Sequence, residues 1–473
     1  MAGPVHKMLR YHYDPRIAMR LLHTFGGTVQ PIIPQKKSSI SLYSCGPTVY
    51  QRAHVGNLRT YIMVDILKRA LLHEKYTVHH VLNITDVGHL TEDSDDGEDK
   101  VEREARAQHK TAKQITKYYE RLYKTDVRAL GILKADIYPR ASEHIKEQIA
   151  MVRALEQKGL TYRTSDGIYF DTAKFPTYGI LAQKNLKGLQ SGARVAVGEK
   201  RSPTDFALWK FSPPAGARRQ MEWKSPWGVG FPGWHIECSA MSIKYLGSTI
   251  DIHTGGIDHI NIHHSNEIAQ SEAVTHKPFV KYWMHINFLV LPGSGEDAKM
   301  AKSKGNVVTL DDIRARKFDP LDFRYMMLLS HWQQPVTFSW DALEAASVGR
   351  KRLIEAYARA PKKLSRESLL PFWDYIADNL HTPKAIAWLW TELNAGRISQ
   401  RMLRETDTLL GLGLTKRNIM NVTIPSDIAA LVAQRERARA QQDWTLSDTI
   451  REQLKSLGWS IEDTSSGPIV HKL

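Results

Sequence analysis

Four side chains of metal-ligating type stand in three separated stretches of the sequence: Cys45 in SCGPTVYQRAHVGN, Cys238 in GWHIECS, and His263 with Glu267 in IHHSNEIAQ. Thiolate sulfur, imidazole nitrogen and carboxylate oxygen are the donors that zinc accepts. On a helix, the i, i+4 spacing of His263 and Glu267 puts both side chains on one face, within reach of one ion. Taken alone the pattern has a second reading. Neither cysteine sits in a C-x-x-C pair, isolated cysteines are commonly inert core thiols, and His and Glu four apart recur on ordinary solvated helices. His264 is a further candidate ligand that shares a face with Glu267 less well, and His235 ranks below His263.

A second group of residues is of the kind that handles phosphate. In HVGN, His54 precedes Gly56 and the start of a helix, whose free N–H groups and positive dipole end suit a phosphate. KMAKSKGN, residues 299–306, gathers Lys299, Lys302 and Lys304 beside serine and glycine. It reads either as a basic surface patch or as a loop whose ammonium groups close over a triphosphate and stabilise the charge moving onto departing pyrophosphate. HTGGIDH, residues 253–259, offers Gly255 and Gly256 where backbone can approach an adenosine, with Asp258 as an acceptor for a ribose hydroxyl or an amino group. Each short stretch, taken singly, also fits a plain turn.

Positioning such groups requires a scaffold. Residues 39–85 read as a βαβ unit: Ile40 and Leu42 alternate with polar residues in a strand, Leu58, Ile62 and Ile66 share a helix face, and Val78 to Ile84 is the next strand. A parallel sheet of this kind binds ligands at the carboxyl ends of its strands. The acidic run TEDSDDGEDK departs from a calcium loop, because counted from Asp93 its glycine is fifth rather than sixth, and it reads as a solvated loop. Val101 to about Ile132 is charged and reads as helical, and the turn-rich sequence that follows, up to SPWGVGFPGWH, reads as an insertion between two halves of one fold. From about residue 345 the pattern is helical, with Thr382 expected as an N-cap before Pro383 and with Ile386, Leu389, Trp390 and Leu393 on an apolar face. Near the end, Ile450, Leu454 and Leu457 share a helical face ahead of WSIEDTSSGPIV, whose Ser-Ser-Gly predicts a hairpin or two short strands.

The 473-residue chain, 42% hydrophobic, has ample material for two to four domains. Its 65 Lys+Arg against 50 Asp+Glu, a formal charge of +15, favour a polyanionic partner. Two cysteines exclude a disulfide framework and point to a reducing, cytoplasmic setting. No signal-like apolar run opens the chain and no stretch of 18 apolar residues suggests a membrane span, so an embedded protein is not expected.

The ordered set SCGPTVYQRAHVGN, NITDVG, PGWHIECSAMS, GGIDHINIHHSNEIAQS, KMAKSKGN and SDTIREQLKSLGWSIEDTSSG is far more specific than any member, and over nearly the whole chain it resembles the cysteinyl-tRNA synthetase family of class I aminoacyl-tRNA synthetases. The resemblance implies one zinc ion held by Cys45, Cys238, His263 and Glu267. A metal-bound thiol ionises readily whereas a serine hydroxyl is a poor zinc ligand, so cysteine would be selected by bond type. It further assigns Trp234 to a wall of the cysteine pocket, Thr48 and Thr85 to its lining, His54 and Asn57 to the HIGH nucleotide signature, and Lys299 with Lys302 to the KMAKS loop that meets ATP. Gly56, Gly255 and Gly256 join the ATP site, and Asp258 the substrate site. The reaction implied is activation of L-cysteine by ATP with Mg²⁺, then transfer to the terminal ribose of tRNA(Cys), by a chain expected to act as a monomer. Asn57, Ala301 and Ser265 depart from the family's more usual residues, and none is a proposed zinc ligand.

The fold class so implied is α/β: a Rossmann-type parallel-sheet catalytic domain with an insertion, then a helical-bundle domain and a small C-terminal α+β segment. The expected divisions are 1–134 and 231–306 for the catalytic halves, 135–230 for the insertion, 307–344 for a stem-contact region, 345–425 for the bundle and 426–473 for anticodon recognition. Mycothiol cysteine ligase shares the catalytic core but lacks the full C-terminal region, so residues 307–473 favour tRNA as acceptor. A binding protein that has lost activation would be expected to lack His54, Lys302 or the ligand set, and all are present.

Overall fold

The computed structural model describes residues 19–87, 99–182, 199–212, 219–293, 307–415, 425–464 and 467–472. After an antiparallel pair, β1 (Arg20–His23) and β2 (Thr28–Pro31), the chain enters the βαβ unit: β3 (Ser39–Ser44), α1 (Val55–His73) and β4 (Thr77–Leu82). Ile40 and Leu42 are buried in β3, as their alternation requires. Helix α1 is more deeply embedded than its apolar stripe implies. Besides Leu58, Ile62 and Ile66 it buries Tyr61, Met63, Val64 and the charged Arg59, Asp65 and Lys68, because side chains between Leu310 and Leu414 close over it in the same core.

Charge buried this deeply must be paired. Arg324 Nη2 lies 2.6 Å from Asp65 Oδ2, Arg69 Nε donates to the same oxygen at 2.7 Å, and the Leu133 N–H donates to Oδ1 at 2.8 Å. Arg324 also donates to the Leu410 and Leu130 carbonyls, at 2.6 and 3.1 Å. Arg59 donates to the carbonyls of Phe288, His331 and Gln334. These contacts bind α1 to the helical segments that follow the sheet.

The charged stretch from Val101 is helical as expected and forms two helices, α2 (Lys100–Ala107) and α3 (Ala112–Ala129). His109 takes a positive φ of 52° between them, and Thr111 with Gln114 forms a capping box that starts α3 afresh. A strong local start signal thus overrides continuous helical patterning. The acidic run before α2 lies outside the described residues up to residue 98; its Asp99 caps α2 by accepting from the Val101 and Glu102 N–H groups.

The insertion is built from α4 (Ile145–Gln157) and an antiparallel sheet of β5 (Thr161–Arg163), β6 (Gly167–Phe170), β7 (Phe206–Phe211), β8 (Trp223–Ser225) and β9 (Gly228–Pro232), in the order β5-β6-β7-β9-β8. Ile168, Phe170, Phe206 and Leu208 from the sheet meet Met151, Val152 and Leu155 of α4 and Ile236 and Ala240 of α5 (Trp234–Leu246) in one apolar cluster. The insertion therefore backs the helix that carries Cys238. β10 (Ile250–Gly256), α6 (His263–Thr275) and β11 (Val280–Ile286) then complete a parallel sheet in the order β11-β10-β3-β4, with Leu42 opposite Ile252 and Ser44 opposite both Thr254 and Leu82.

His80 of β4 is buried with Nε2 3.0 Å from Ser44 Oγ. Burial, seconded by the Lys68 charge, lowers its pKa from 6.5 to about 3. The unfolded chain then takes up the proton first as pH falls, so this stabilising contribution is complete above pH 6.5 and is lost progressively below it. The wild-type melting temperature should fall between pH 6.5 and 4, and His80→Gln should show a shallower fall; equal slopes in a thermal pH series would remove His80 from the account.

Beyond the sheet, β12 (Leu289–Val290) pairs in parallel with β13 (Val336–Thr337), and helices run over Leu310–Ala315, Pro320–Leu328, Trp340–Arg359, Leu370–Ala377, Thr382–Asn394 and Gln400–Leu410. The helix Trp340–Arg359 is continuous through residues 344 and 345. Thr382 is the first helical residue and not the N-cap, a position held by His381; its hydroxyl donates instead to the Leu328 carbonyl at 2.9 Å. Ile386 and Leu389 are buried, whereas Trp390 and Leu393 are half-buried.

The chain divides into two compact units, Met1–Leu414 and Thr415–Leu473. Within the second, helices Ser426–Ala440 and Trp444–Ser456 enclose Ile428, Ile450 and Leu454 with Trp459 and Ile461 of the hairpin formed by β14 (Trp459–Thr464) and β15 (Gly467–Lys472). Leu457 does not join the apolar face: it lies past the helix end and is 50% exposed.

Candidate metal centre and nucleotide cleft

Where β3 ends, Cys45 leaves the sheet with its N–H donating to the Thr254 carbonyl at 3.1 Å, and the Gly46 N–H donates to Asn83 Oδ1 at 2.8 Å. A Cβ on Gly46 would lie 1.6 Å from the Asn83 carbonyl oxygen, so only glycine allows the two chains to pass. Gly46→Ala should displace the turn at a cost of about 1–3 kcal/mol, the usual range for overpacking. It should lower both the denaturation midpoint and metal content; wild-type values of both would refute the close-packing argument.

The four expected ligands converge. Cys45, Cys238, His263 and Glu267 each place a donor atom within 4.8 Å of the others, and all four are buried. α5 carries Cys238 and α6 carries the His263–Glu267 pair, with His263 Nε2 3.0 Å from Glu267 Oε1. That oxygen has no partner in hydrogen-bond geometry, so the two atoms lie side by side, as two donors to a common ion do. Burial and the neighbouring Cys238 raise the Cys45 pKa, whereas the hydrogen bond from Cys45 lowers that of Cys238. Burial acts to lower the pKa of His263, but the Glu267 carboxylate and Cys238 outweigh it and raise it to about 10. Burial likewise acts to raise the Glu267 pKa, and His253 with His263 overcome it, bringing it to about 2. Two sulfurs, an imidazole and a carboxylate gathered out of water form a donor set that fits zinc.

His264 comes closer than helical spacing suggests. Its Nε2 is 3.3 Å from Cys45 Sγ and 3.9 Å from Glu267 Oε1, and Cys45, His253, His264 and Glu267 form a second set with donor atoms within 4.8 Å. His253, which the sequence reading passed over as a ligand, places Nε2 2.9 Å from Glu267 Oε2. Access distinguishes the two sets: Cys45, Cys238 and His263 line the cleft described below, whereas His253, His264 and Glu267 do not. His235 braces the first set from behind, Nδ1 to Nδ1 of His263 at 2.9 Å, the kind of outer contact that orients a ligand ring.

His54 is the N-cap of α1. The Asn57 N–H donates to His54 Nδ1, and the His54 N–H donates to Asn57 Oδ1, each at 3.4 Å. Asn57, at the place where a second histidine was the usual residue, thus closes a capping box. Gly56 permits this fold-back, since a Cβ there would stand 2.9 Å from the His54 ring. Backbone pairing ties the same turn to the chain after the KMAKS stretch: His54 bridges Thr309, and the Val55 N–H donates to the Val308 carbonyl at 2.8 Å. Lys299, Ala301, Lys302 and Lys304 lie outside the described residues.

Cys45, Cys238 and His263 share with the turn at His54 one cavity of about 720 Å³ at the carboxyl ends of β3 and β10. Thr48, Thr85, Trp234, Gly256 and Asp258 line it together with His54, Gly56, Asn57 and the three ligands named above. Thr48 and Thr85 face each other in a parallel bridge, and the Trp234 ring lies 4.5 Å from that of His263. Gly255 stands apart: a Cβ on it would meet the rings of His259 and His264 at 2.7 Å, so it packs against histidines rather than lining the cleft.

Residues 31–348 match the family model of the class I (C) tRNA synthetase catalytic domain. The same fold occurs in the LeuRS–tRNA–LeuAMS ternary complex of Agrobacterium radiobacter K84, with a TM-score of 0.55 and 12% identity over 81% of this chain and 84% of that one. It also occurs in Mycobacterium tuberculosis methionyl-tRNA synthetase bound by methionyl-adenylate, with a TM-score of 0.52 and 15% identity over 80% and 89%. The sheet and its cleft are those of a class I aminoacyl-tRNA synthetase.

Residues 422–467 match the model of the cysteinyl-tRNA ligase anticodon binding domain. Cysteine--tRNA ligase 1 of Burkholderia lata is 46% identical over 455 residues, 95% of this chain and 96% of its own. A Cysteine--tRNA ligase of Thermus thermophilus is 40% identical over 469 residues, 93% and 96% respectively. The chain belongs to the cysteinyl-tRNA ligase family and is a ligase. No described helix is long and apolar enough to cross a membrane.

Proposed function

We propose that the chain joins L-cysteine to tRNA(Cys) in two steps within the one cleft. In the first, a carboxylate oxygen of cysteine attacks the α-phosphorus of ATP, the bond to the β-phosphate oxygen breaks, and pyrophosphate leaves with Mg²⁺. In the second, a ribose hydroxyl at the tRNA 3′ end attacks the carbonyl carbon and AMP departs. The observation that carries this reading is that a buried two-thiol cluster and a histidine-capped helix start open into the same cavity.

Cys45, Cys238, His263 and Glu267 would hold zinc, which when bound supplies a Lewis acid on which a substrate thiol, but not a hydroxyl, ionises readily. Trp234, Thr48 and Thr85 shape the amino-acid pocket around it, and Asp258 takes a polar group of the substrate. His54 and the first turn of α1, with Gly56, Asn57 and Gly256, receive the nucleotide. Gly255 supports them from behind, and Lys299 and Lys302 act on the phosphates. Catalysis is then positioning and charge stabilisation, with no side-chain nucleophile. The six-part division expected from the sequence is retained as a proposal, as is a monomer working in the cytoplasm.

Pyrophosphate exchange with cysteine and with serine, followed by transfer to tRNA(Cys), tests the reading. Cysteine-dependent exchange and charging are expected. Exchange without charging would favour the amino-sugar ligase reading, against which the C-terminal anticodon-domain match already counts.

A further inference from the structure

Helix α2 presents two cations to the cleft that have no part in the proposed adenylation step. Lys100 and Arg103 stand one turn apart, on one face, and both line the cavity together with Tyr50 and Tyr119. The helix is seated by its buried Val101 and Ala105. Of the acidic residues at this helix, the N-cap Asp99 and Glu102 meet the chain after β7, where Arg219 reaches Asp99 at 2.7 Å and Glu102 at 3.8 Å and the Gln220 N–H donates to Glu102 at 2.8 Å, whereas Glu104 accepts from Gln108 and Tyr119. The Arg219 guanidinium itself lies 3.7 Å over the Phe231 ring. Lys100 Nζ stands 5.9 Å from the centre of the Tyr50 ring.

From this arrangement we infer that Lys100, Arg103 and Tyr50 form a subsite for the single-stranded, phosphate-bearing 3′ end of the RNA acceptor as it enters the cleft. Adjacent cations with an aromatic ring between backbone and cavity are what single-stranded nucleic acid binds, phosphates to the charges and a base face to the ring. His54 and the start of α1, proposed above to receive the nucleotide, line the same cavity. The inference rests on the transfer reaction proposed above and adds to it the path of the acceptor strand.

The full-length enzyme bearing Lys100→Ala, Arg103→Ala or both, with Lys100→Arg as the conservative variant, separates the possibilities. The KM for tRNA(Cys) in transfer should rise at least about tenfold more than the KM for ATP in pyrophosphate exchange, with Lys100→Arg recovering most of the loss. The slope of log binding constant for tRNA against log salt should flatten by roughly one phosphate contact per residue removed. Equal losses in exchange and transfer would place the pair on the ATP phosphates and overturn the inference, as would tRNA parameters that do not move. If the wild type forms adenylate but charges no tRNA, the proposed function itself fails, an outcome read before any variant is made.

Discussion

Cys238→Ala should empty the metal centre. The substitution removes one of two sulfur donors and leaves Cys45 as a buried thiol whose pKa burial already raises. It also removes a charge that helps to raise the His263 pKa. Metal analysis should fall from near one ion per chain to a small fraction, and cysteine-dependent exchange should drop on the order of 10⁴-fold, the scale on which a site built around one specific bond rejects its absence. Unchanged metal content would defeat the four-ligand assignment whatever happened to activity. Cys45→Ser should behave alike and should impair cysteine recognition more than ATP binding. Because the ion must displace protons from Cys45 and from His263, raised to about 10 without it, metal affinity of the wild type should weaken as pH falls.

The largest effect on stability is expected from Asp65→Ala. The carboxylate receives Arg324, Arg69 and the Leu133 N–H in the core around α1. Its removal strands the Arg324 guanidinium, which is 0% exposed. Breaking a buried pair from one side costs about 3–5 kcal/mol because the remaining charge has no compensation. The denaturant midpoint should fall accordingly. Asp65→Ala combined with Arg324→Met should cost less than the sum of the two single changes, since the stranded charge is gone. An additive double variant would show that the two groups act separately.

Much of this architecture is legible before any coordinates, for identifiable reasons. The βαβ unit declares itself because strand alternation and helix spacing are local properties, whereas the set of Cys45, Cys238, His263 and Glu267 follows only from the family resemblance, since two lone cysteines and an i, i+4 His–Glu pair also fit core thiols and a solvated helix. His264 was legible as an alternative candidate ligand, but its 3.3 Å approach to Cys45 and the part taken by His253 were not. Both emerge from tertiary approach: His253 lies buried in a central parallel strand, where its Nε2 meets the Glu267 carboxylate of α6. The break between α2 and α3 was hidden because the charge pattern runs through it, while the Thr111–Gln114 capping box that decides it is a short-range signal that was present in the sequence and went unread. Asn57 looked like a departure from a signature; its reciprocal hydrogen bonds with His54 give it a use that residue type alone does not reveal. Thr382 illustrates the reverse error, since a good capping residue before proline was drawn into a contact with Leu328.

The central position of β3 has a consequence for how this enzyme is made. Its neighbour β10 and the partners of Cys45 arrive late in the chain; Cys45 and His264, which meet at 3.3 Å, are 219 positions apart. Closing so long a span costs entropy that local contacts cannot offset in advance. A ribosome that has released only the first βαβ unit has therefore produced half of a sheet with an open edge and a cysteine without its companions. Residues 250–286 must emerge before that edge is covered. Until then the growing chain has the folding liabilities of a parallel sheet and none of its chemistry, and the period of greatest need for a chaperone should end as β10 pairs with β3.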